Sequence, residues 1–229
     1  MHIDSRRVNS NQGHTNSQLP LLVRRHLRHR YQKPIAEHSR AAYSLLQDAL
    51  KAQPRPLVLD SFCGTGHSTA ILAKRHSGHL VVGVDKSAHR LAKHVDNGSE
   101  NYLLLQSDCE DIWQLLLRTG LTVDYHYLLY PNPWPKSRHI QRRVHGSAAF
   151  PWLLALGGEI ELRSNWRVYV EEFCLAMNLA GSSGAIFPLA QGSPLTLFEK
   201  KYQNSGHELW AYRGTISKNP HRDDTQVLG

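Results

Sequence analysis

The sequence has few cysteines and no long apolar run. Its three cysteines, Cys63, Cys109 and Cys174, lie far apart and form no C-x-x-C pair. This pattern argues against a disulfide framework and a thiolate zinc site, and it fits a reducing cytoplasm. No stretch reaches the ~18 apolar residues of a membrane helix, and residues 1–18 lack the apolar core of a secretory signal. We therefore expect a cytoplasmic protein that binds neither membrane nor metal.

Acidic residues are scarce in the first forty residues, which hold eight Lys and Arg against Asp4 and Glu37. This segment carries +6 of the net charge of +8, and the remaining 189 residues are nearly neutral. Such an imbalance indicates a polyanionic partner. We expect a flexible basic N-terminal arm over residues 1–33 and one domain over 34–229. The arm's candidate contacts are Arg24, Arg25, Arg28, Arg30 and Lys33.

Apolar strands alternate with helical stretches in most of the remaining chain. The predicted strands cover 56–60, 79–85, 101–108, 123–134, 159–164, 185–190 and 207–216, and a lead-in helix covers 35–52. Further helices follow the first three strands and are expected over 141–155 and 166–179. Continuous apolar strands separated by helices indicate an α/β fold with a Rossmann-like, doubly wound, mostly parallel sheet. Ligands of such sheets bind at the carboxyl ends of the strands.

A glycine-bearing turn, Asp60-Ser-Phe-Cys-Gly64-Thr-Gly66, follows the first predicted strand. Glycine suits a tight reversal where a ligand approaches the backbone. A dinucleotide site would need a third small residue where Thr69 stands, and the Asp60 carboxylate would repel a pyrophosphate. An acid at this place suits instead the sulfonium and ammonium groups of S-adenosylmethionine.

Acids also end the next two strands, at Asp85 and Asp108. The first would accept hydrogen bonds from the ribose hydroxyls, and the second would take the adenine amino group. Each acid alone could equally be a helix N-cap. Together with the glycine turn they resemble the class I methyltransferases, although Phe62 stands where that family usually has its first glycine. The resemblance implies that S-adenosylmethionine is bound by a set of six residues: Asp60, Gly64, Gly66, Asp85, Asp108 and Asn132.

The segment after the fourth strand, Tyr130-Pro-Asn-Pro-Trp-Pro-Lys-Ser-Arg-His-Ile-Gln-Arg-Arg143, resembles the P-D-P-W-x-K-x-R-H-x-x-R-R motif of the tRNA (guanine-N7)-methyltransferases. Residues 164–169 and 194–199 are similar to the same family's T-D-W-x-x-Y and P-x-T-x-F-E motifs. The likeness extends from about Pro56 to Lys218. It implies methyl transfer to N7 of a tRNA guanine, at position 46 in the variable loop.

The resemblance also implies roles for individual residues. It assigns catalytic positions to Asn132, Lys136 and Asn165, and Trp134 and His139 would stack on a base. The implied tRNA-binding residues are Lys136, Arg138, Arg142, Arg143, Asn165, Thr196 and Glu199. From the residues alone, Thr196 and Glu199 could equally be a helix N-cap and a solvated acid.

Two family aspartates are asparagines here, Asn132 and Asn165. Guanine N7 needs no general base, but methylation leaves a cationic ring that a carboxylate would stabilise. We expect Asn132 to orient the base, with Glu199 or Asp60 supplying the negative field. Two alternatives stay open. One is methylation of an exocyclic amine, since Asn-Pro-Trp resembles the N-P-P-(Y/F/W) motif of amino-methylating enzymes, and the other is an RNA chaperone that binds the cofactor without catalysis.

Overall fold

The computed structural model describes residues 5–29 and 31–217. The start of the expected arm, the candidate contact Arg30 and the end of the family resemblance at Lys218 lie outside the described residues. The strands are β1 (Leu57–Ser61), β2 (Leu80–Asp85), β3 (Tyr102–Gln106), β4 (Tyr125–Leu129), β5 (Gly158–Ser164), β6 (Ser183–Pro188) and β7 (Trp210–Ile216). The helices are α1 (Leu19–Arg28), α2 (Glu37–Ala52), α3 (His67–Arg75), α4 (Ala88–Leu91), α5 (Cys109–Arg118), α6 (Phe150–Ala155), α7 (Arg167–Leu179) and α8 (Leu197–Asn204).

The seven strands form one sheet in the order β3-β2-β1-β4-β5-β7-β6. Strands β1 to β5 are parallel, and β7 runs antiparallel between β5 and β6. Every residue of β1 and β2 is buried, because helices cover both faces of the sheet there. The predicted doubly wound, mostly parallel sheet is confirmed. The second and third strands lie on one side of β1 and β4 lies on the other, so the strand order reverses between β1 and β4. Ligands of such sheets bind in the crevice at the carboxyl ends of the two strands where this reversal occurs.

The region after β4 differs from the helix expected over 141–155. Two 3-10 turns, Ser137–Arg142 and Val144–Gly146, precede the short α6. Gly146 packs so closely that a Cβ there would lie 2.1 Å from the Ile140 carbonyl oxygen. Pro151 lies in the first turn of α6, the place where a helix tolerates proline. These two residues break the long helix that the apolar spacing predicts. The helix expected after β2 is present but short, and it ends at Leu91.

Helix α1 is part of the domain core. Its Leu19, Leu22 and Val23 are buried with the main hydrophobic cluster, and α1 packs against α7 and α6. Arg24, Arg25 and Arg28 lie on the exposed face, as expected for an amphipathic helix. The described part of the expected flexible arm is therefore docked on the domain, and the packing continues across the expected boundary at residue 33. Within residues 5–29 and 31–217, no helix is long and apolar enough to cross a bilayer.

Candidate functional site

A cavity of about 680 Å³ opens where β1, β2, β3 and β4 end. This volume suits a small-molecule ligand. Six predicted site residues line it: Gly64, Asp85, Asp108, Asn132, Arg142 and Thr196. Seven do not contribute to the lining: Asp60, Gly66, Lys136, Arg138, Arg143, Asn165 and Glu199. The cavity thus contains some of the predicted cofactor-binding residues and some of the predicted tRNA-binding residues.

Asp60 lies behind the glycine turn and is completely buried. Its Oδ2 accepts hydrogen bonds from Ser68 Oγ at 2.7 Å and from Thr69 Oγ1 at 2.8 Å. Its Oδ1 has no hydrogen-bond partner among the described residues, and burial raises the pKa of the carboxyl to about 6. Ser68 lies in the cavity wall. Asp60 therefore holds the start of α3 in place and acts on the cavity through it.

The two glycines of the turn have different roles. Gly64 has a φ of +64°, and a Cβ there would meet no atom within 4 Å. Its backbone N–H donates to Asp85 Oδ2 at 3.0 Å. Gly66 lies outside the cavity, where a Cβ would come within 2.7 Å of the Leu104 side chain. Gly64 therefore adds no side chain to the cavity wall, whereas Gly66 permits close packing against Leu104 of β3.

Backbone strain is concentrated at the cavity. Phe62, Tyr130 and Trp134 have φ values of 65°, 55° and 45°, and they are the described non-glycine residues with positive φ. All three line the cavity. A side chain in this conformation costs about 1–3 kcal/mol, which explains why a glycine is usual at the position of Phe62. The Phe62 ring packs edge-on against Trp113 at 6.1 Å, and this contact helps to hold the strained turn.

Asp85 and Asp108 present different hydrogen-bonding capacity. Asp85 Oδ1 accepts from Ser87 N at 2.8 Å and from Arg90 Nη2 at 2.9 Å, in addition to the Gly64 bond. A carboxylate has about four acceptor positions, so Asp85 has one free position, and it would have two if Arg90 moved away. Asp108 is the N-cap residue of α5, but its side chain makes no capping hydrogen bond. Its carboxylate is available to a ligand.

The loop after β4 presents the asparagine and most of the predicted cations. Asn132 is exposed, and its Oδ1 accepts from the Trp134 N–H at 3.2 Å. Lys136 and Arg138 are exposed beside an open groove of about 590 Å³ shared with residues 9–11. The Arg142 guanidinium lies 4.8 Å from the centroid of the Trp134 ring. Arg142 thus borders the cavity, whereas Lys136 and Arg138 border the groove, and all three cations are exposed to a polyanion.

Arg143 does not belong to that surface. It is completely buried and donates to the Glu172 carboxylate, while its Nη2 donates to the Trp134 carbonyl oxygen at 3.0 Å. His145 Nε2 lies 3.0 Å from the same carboxylate. These partners hold the pKa of Glu172 at about 2 despite its burial. The expected phosphate contact of Arg143 is wrong, because its charge is neutralised inside the domain.

Glu199 is likewise a structural residue. Its Oε1 accepts from Arg163 Nη1 at 2.8 Å, and the side chain is buried. Thr196 Oγ1 accepts from the Glu199 N–H at 2.9 Å, so Thr196 is the N-cap of α8. Glu199 is therefore neither the solvated acid nor a free negative charge beside the base. Thr196 caps the helix and also lines the cavity.

Asn165 faces His207 and does not line the cavity. Its Nδ2 donates to His207 Nδ1 at 3.2 Å, and His207 Nε2 donates to the Ser5 carbonyl oxygen at 2.8 Å. Both contacts are satisfied when the imidazole is neutral with its proton on Nε2. An aspartate would accept and would need a proton on Nδ1. An amide at position 165 thus matches the partner that the structure gives it.

Residues 5–18 form an N-terminal strap across this side of the domain. Ser10 Oγ donates to the Pro135 carbonyl oxygen at 2.6 Å, and Asn16 Nδ2 donates to the Ser137 carbonyl oxygen at 3.1 Å. Gln12 Oε1 accepts from Arg143 Nη2 at 3.1 Å. The strap thus fixes the loop that carries Asn132. The polar, aperiodic sequence of the strap gives no indication of this role. The sequence around Glu172 likewise gives no indication that this residue binds the strap and Arg143.

A metal site is not evident in the part of the chain that the structure describes, where no three His, Cys, Asp or Glu side chains cluster suitably.

Two comparisons with known sequences bear on the cavity. The family model Methyltransf_4, described as "Putative methyltransferase", matches residues 54–212. A tRNA (guanine-N(7)-)-methyltransferase of Zymomonas mobilis is 30% identical over 173 residues, covering 69% of this chain and 74% of that protein.

A second relative with the same description, from Leifsonia xyli, is 27% identical over 177 residues, covering 71% of this chain and 77% of its own. Among solved structures, the 16S rRNA methyltransferase KamB matches with a TM-score of 0.55 and 21% identity, covering 81% of this chain and 95% of that chain. A 16S rRNA (adenine(1408)-N(1))-methyltransferase from Catenulisporales acidiphilia, solved with S-adenosylmethionine, matches with a TM-score of 0.54 and 19% identity. The match covers 76% of this chain and 92% of that chain. At these identities the solved structures establish a shared fold.

Proposed function

The chain is a divergent member of the tRNA (guanine-N7)-methyltransferase family, and from this premise we propose that it transfers a methyl group from S-adenosylmethionine to N7 of a tRNA guanine. The observation that carries the proposal is the meeting of Asp85, Asp108 and Asn132 at one cavity, with exposed cations at its mouth. The acceptor that we propose is guanine 46 of the variable loop, and we propose a cytoplasmic location because the proposed substrate is tRNA.

The cavity residues fit S-adenosylmethionine, which supplies the electrophilic methyl group when bound. Asp108 has a free carboxylate for the adenine amino group, and Asp85 has one acceptor position for a ribose hydroxyl. Departure of the half-exposed Arg90 would give Asp85 a second. Gly64 leaves room for the ligand because its Cβ position is open. Asp60 adds negative charge behind the turn, which favours a cationic ligand.

The acceptor base needs accurate placement more than proton transfer. Guanine N7 has a free lone pair, so the main task is to hold it in line with the methyl group, and such positioning supplies up to ~7–11 kcal/mol of a barrier. The loop with Asn132 is stiffened by Pro131, Pro133 and Pro135. The strap contacts to Pro135 and Ser137 restrain it further. The Asn132 carbonyl group would orient the base.

The developing positive charge on the guanine needs a negative field. Glu199 is neutralised by Arg163, so it supplies little of that field. Asp60 lacks a cationic partner among the residues in the described ranges, and we assign the field to it, with Asp85 contributing from the cofactor side. Lys136 and Arg138 would bind phosphates along their groove, and Arg142 would do so at the cavity mouth. We propose that the exposed Arg24, Arg25 and Arg28 of α1 make further phosphate contacts.

Labelled methyl transfer into an unmodified tRNA transcript tests the proposal. We expect incorporation into the transcript and its loss when guanine 46 is replaced by adenine. Asp108→Asn serves as the matched control, because it should weaken cofactor binding while leaving the basic surface intact. Equal incorporation into both transcripts would contradict the assignment to position 46. Absence of incorporation, combined with tight tRNA binding, would favour an RNA-binding protein without catalysis.

A further inference from the structure

Three aromatic rings, Phe198, Tyr202 and His207, form a stacked column beside the cavity. The Phe198 and Tyr202 ring centroids are 6.2 Å apart with planes 24° from parallel. Those of Tyr202 and His207 are 5.2 Å apart and 18° from parallel. Tyr130, at the end of β4, packs against the middle ring at 5.5 Å. This aromatic column therefore connects the cavity wall to the loop before β7.

The two ends of the aromatic column have different surroundings. At the inner end, His207 is held by hydrogen bonds to Asn165 and to the Ser5 carbonyl oxygen. At the outer end, Phe198 lines the cavity and remains 52% exposed. The neighbouring Glu199 is buried in its ion pair with Arg163, and Thr196 caps the helix, so the position of Phe198 on α8 is fixed. The outer end is a rigid, half-open aromatic surface.

The surroundings of Phe198 match a nucleotide. Lys201, one helical turn further on, is exposed and also lines the cavity, and Arg142 lies on the cavity lining as well. An aromatic face next to cationic side chains is the usual arrangement for binding a base and its phosphate. The alternative stacking residue Trp134 already has the Arg142 guanidinium 4.8 Å from its ring centroid, with His139 at its edge.

We propose that Phe198 stacks on the nucleobase that enters the cavity from the acceptor RNA, so that the base extends the aromatic column by one ring. This inference rests on the proposed function, because it requires an RNA acceptor. Base stacking on an aromatic side chain has no sequence preference, so the contact positions the base and other residues select guanine. Phe198 is thus a substrate-binding residue for the target nucleotide.

Two substitutions at this position and one matched control test the proposal on the full-length protein. Phe198→Ala removes the ring, and Phe198→Trp keeps an aromatic face. Phe187→Ala is the control, because Phe187 is a similarly exposed phenylalanine, at 44%, on the edge strand β6, and it does not line the cavity. The measurements are kcat/KM for tRNA methylation, tRNA affinity at several salt concentrations, cofactor affinity and Tm.

We expect Phe198→Ala to lower kcat/KM about tenfold to hundredfold, whereas Phe198→Trp and Phe187→Ala stay within about threefold of the wild type. The salt dependence of tRNA binding should keep its slope, because a stacked base releases no counterions. Cofactor affinity and Tm should not change. Equal kcat/KM for Phe198→Ala and Phe187→Ala would overturn the inference. An inactive wild type would instead contradict the proposed function. In that case tRNA affinity still tests the inference, because equal affinity of the wild type and Phe198→Ala would reject the stacking contact.

Discussion

Arg143 donates to Glu172 in an ion pair from which solvent is completely excluded. The adjacent Arg142 is exposed over the Trp134 ring. Two consecutive arginines of one motif therefore serve different purposes, one in the domain interior and one at the cavity mouth. Gln12 and Asn16 of the strap contact the same carboxylate, so the pair also anchors the N-terminal segment.

Replacing Glu172 should strongly destabilise the protein. Glu172→Ala leaves the buried Arg143 guanidinium without its carboxylate, a change that costs roughly 3–5 kcal/mol in comparable pairs. Urea unfolding measures the difference. The control is Arg138→Ala, an exposed position where the free energy of unfolding should change by less than about 0.5 kcal/mol. Equal stability of the two variants would show that the pair contributes nothing to the fold.

Arg138 should contribute to tRNA binding through phosphate. Arg138→Ala is expected to weaken tRNA affinity and to reduce the slope of log K against log salt by about one, the value for one lost phosphate contact. The matched control is Arg118→Ala, because Arg118 is exposed at the far end of α5 from Asp108. Filter binding at four or more salt concentrations gives both slopes. A slope unchanged in Arg138→Ala would remove this residue from the RNA surface.

Asp60 should make stability depend on pH. Burial raises its pKa from 3.8 to about 6 in the folded state, so the folded protein binds this proton more tightly than the unfolded chain does. The contribution of Asp60 to stability is therefore fully present below about pH 4 and is lost as pH rises toward 6. A pKa difference of this size between the folded and unfolded states corresponds to roughly 3 kcal/mol of unfolding free energy.

The measurement is urea unfolding of the wild type and Asp60→Asn between pH 4 and pH 7. The difference in unfolding free energy between the two proteins should move in favour of the variant as pH rises. Other carboxylates are present in both proteins and cancel in the comparison. A difference that stays constant over this range would mean that Asp60 titrates in its ordinary range.

Asn132→Asp should keep or raise the methylation rate. The carboxylate can still accept from the Trp134 N–H, so the loop geometry is preserved, and its charge would stabilise the cationic ring that forms. Asn132→Ala removes the acceptor and is expected to lower kcat by tenfold or more. Single-turnover kinetics on tRNA compares the three proteins. Complete inactivity of Asn132→Asp would show that the amide donates a bond that a carboxylate cannot replace.

The fold and the cofactor side of the cavity could be predicted because they depend on local patterns. Buried strands such as β1 and β2 are largely apolar runs. Asp85 ends β2 and Asp108 follows the end of β3, and the carboxyl ends of these parallel strands must share one edge of the sheet. The acceptor side depends on long-range partners. Arg143 and Glu199 look like surface charges in sequence until Glu172 and Arg163 are brought beside them.

The strap could not be predicted from the sequence, whereas the break in the helix expected over 141–155 has a signal there, in Gly146 and Pro151. The 3-10 turn ends at Arg142, and this local geometry leaves Arg142 exposed and Arg143 buried. The spacing of a continuous helix does not predict that difference. The strap has no periodicity because its contacts are single polar side chains, such as Ser10 and Gln12, that reach backbone and charge in the domain. Periodicity detects elements that bury a face, and it does not detect such contacts.

Nucleoside mass spectrometry of unmodified tRNA, after incubation with the protein and labelled S-adenosylmethionine, tests the central claim most directly, because it identifies the methylated base and the class of atom together. The account predicts labelled 7-methylguanosine, formed by the wild type and reduced in Asp108→Asn. Labelled N6-methyladenosine or N2-methylguanosine in place of 7-methylguanosine would contradict it and would assign the protein to methylation of an exocyclic amine.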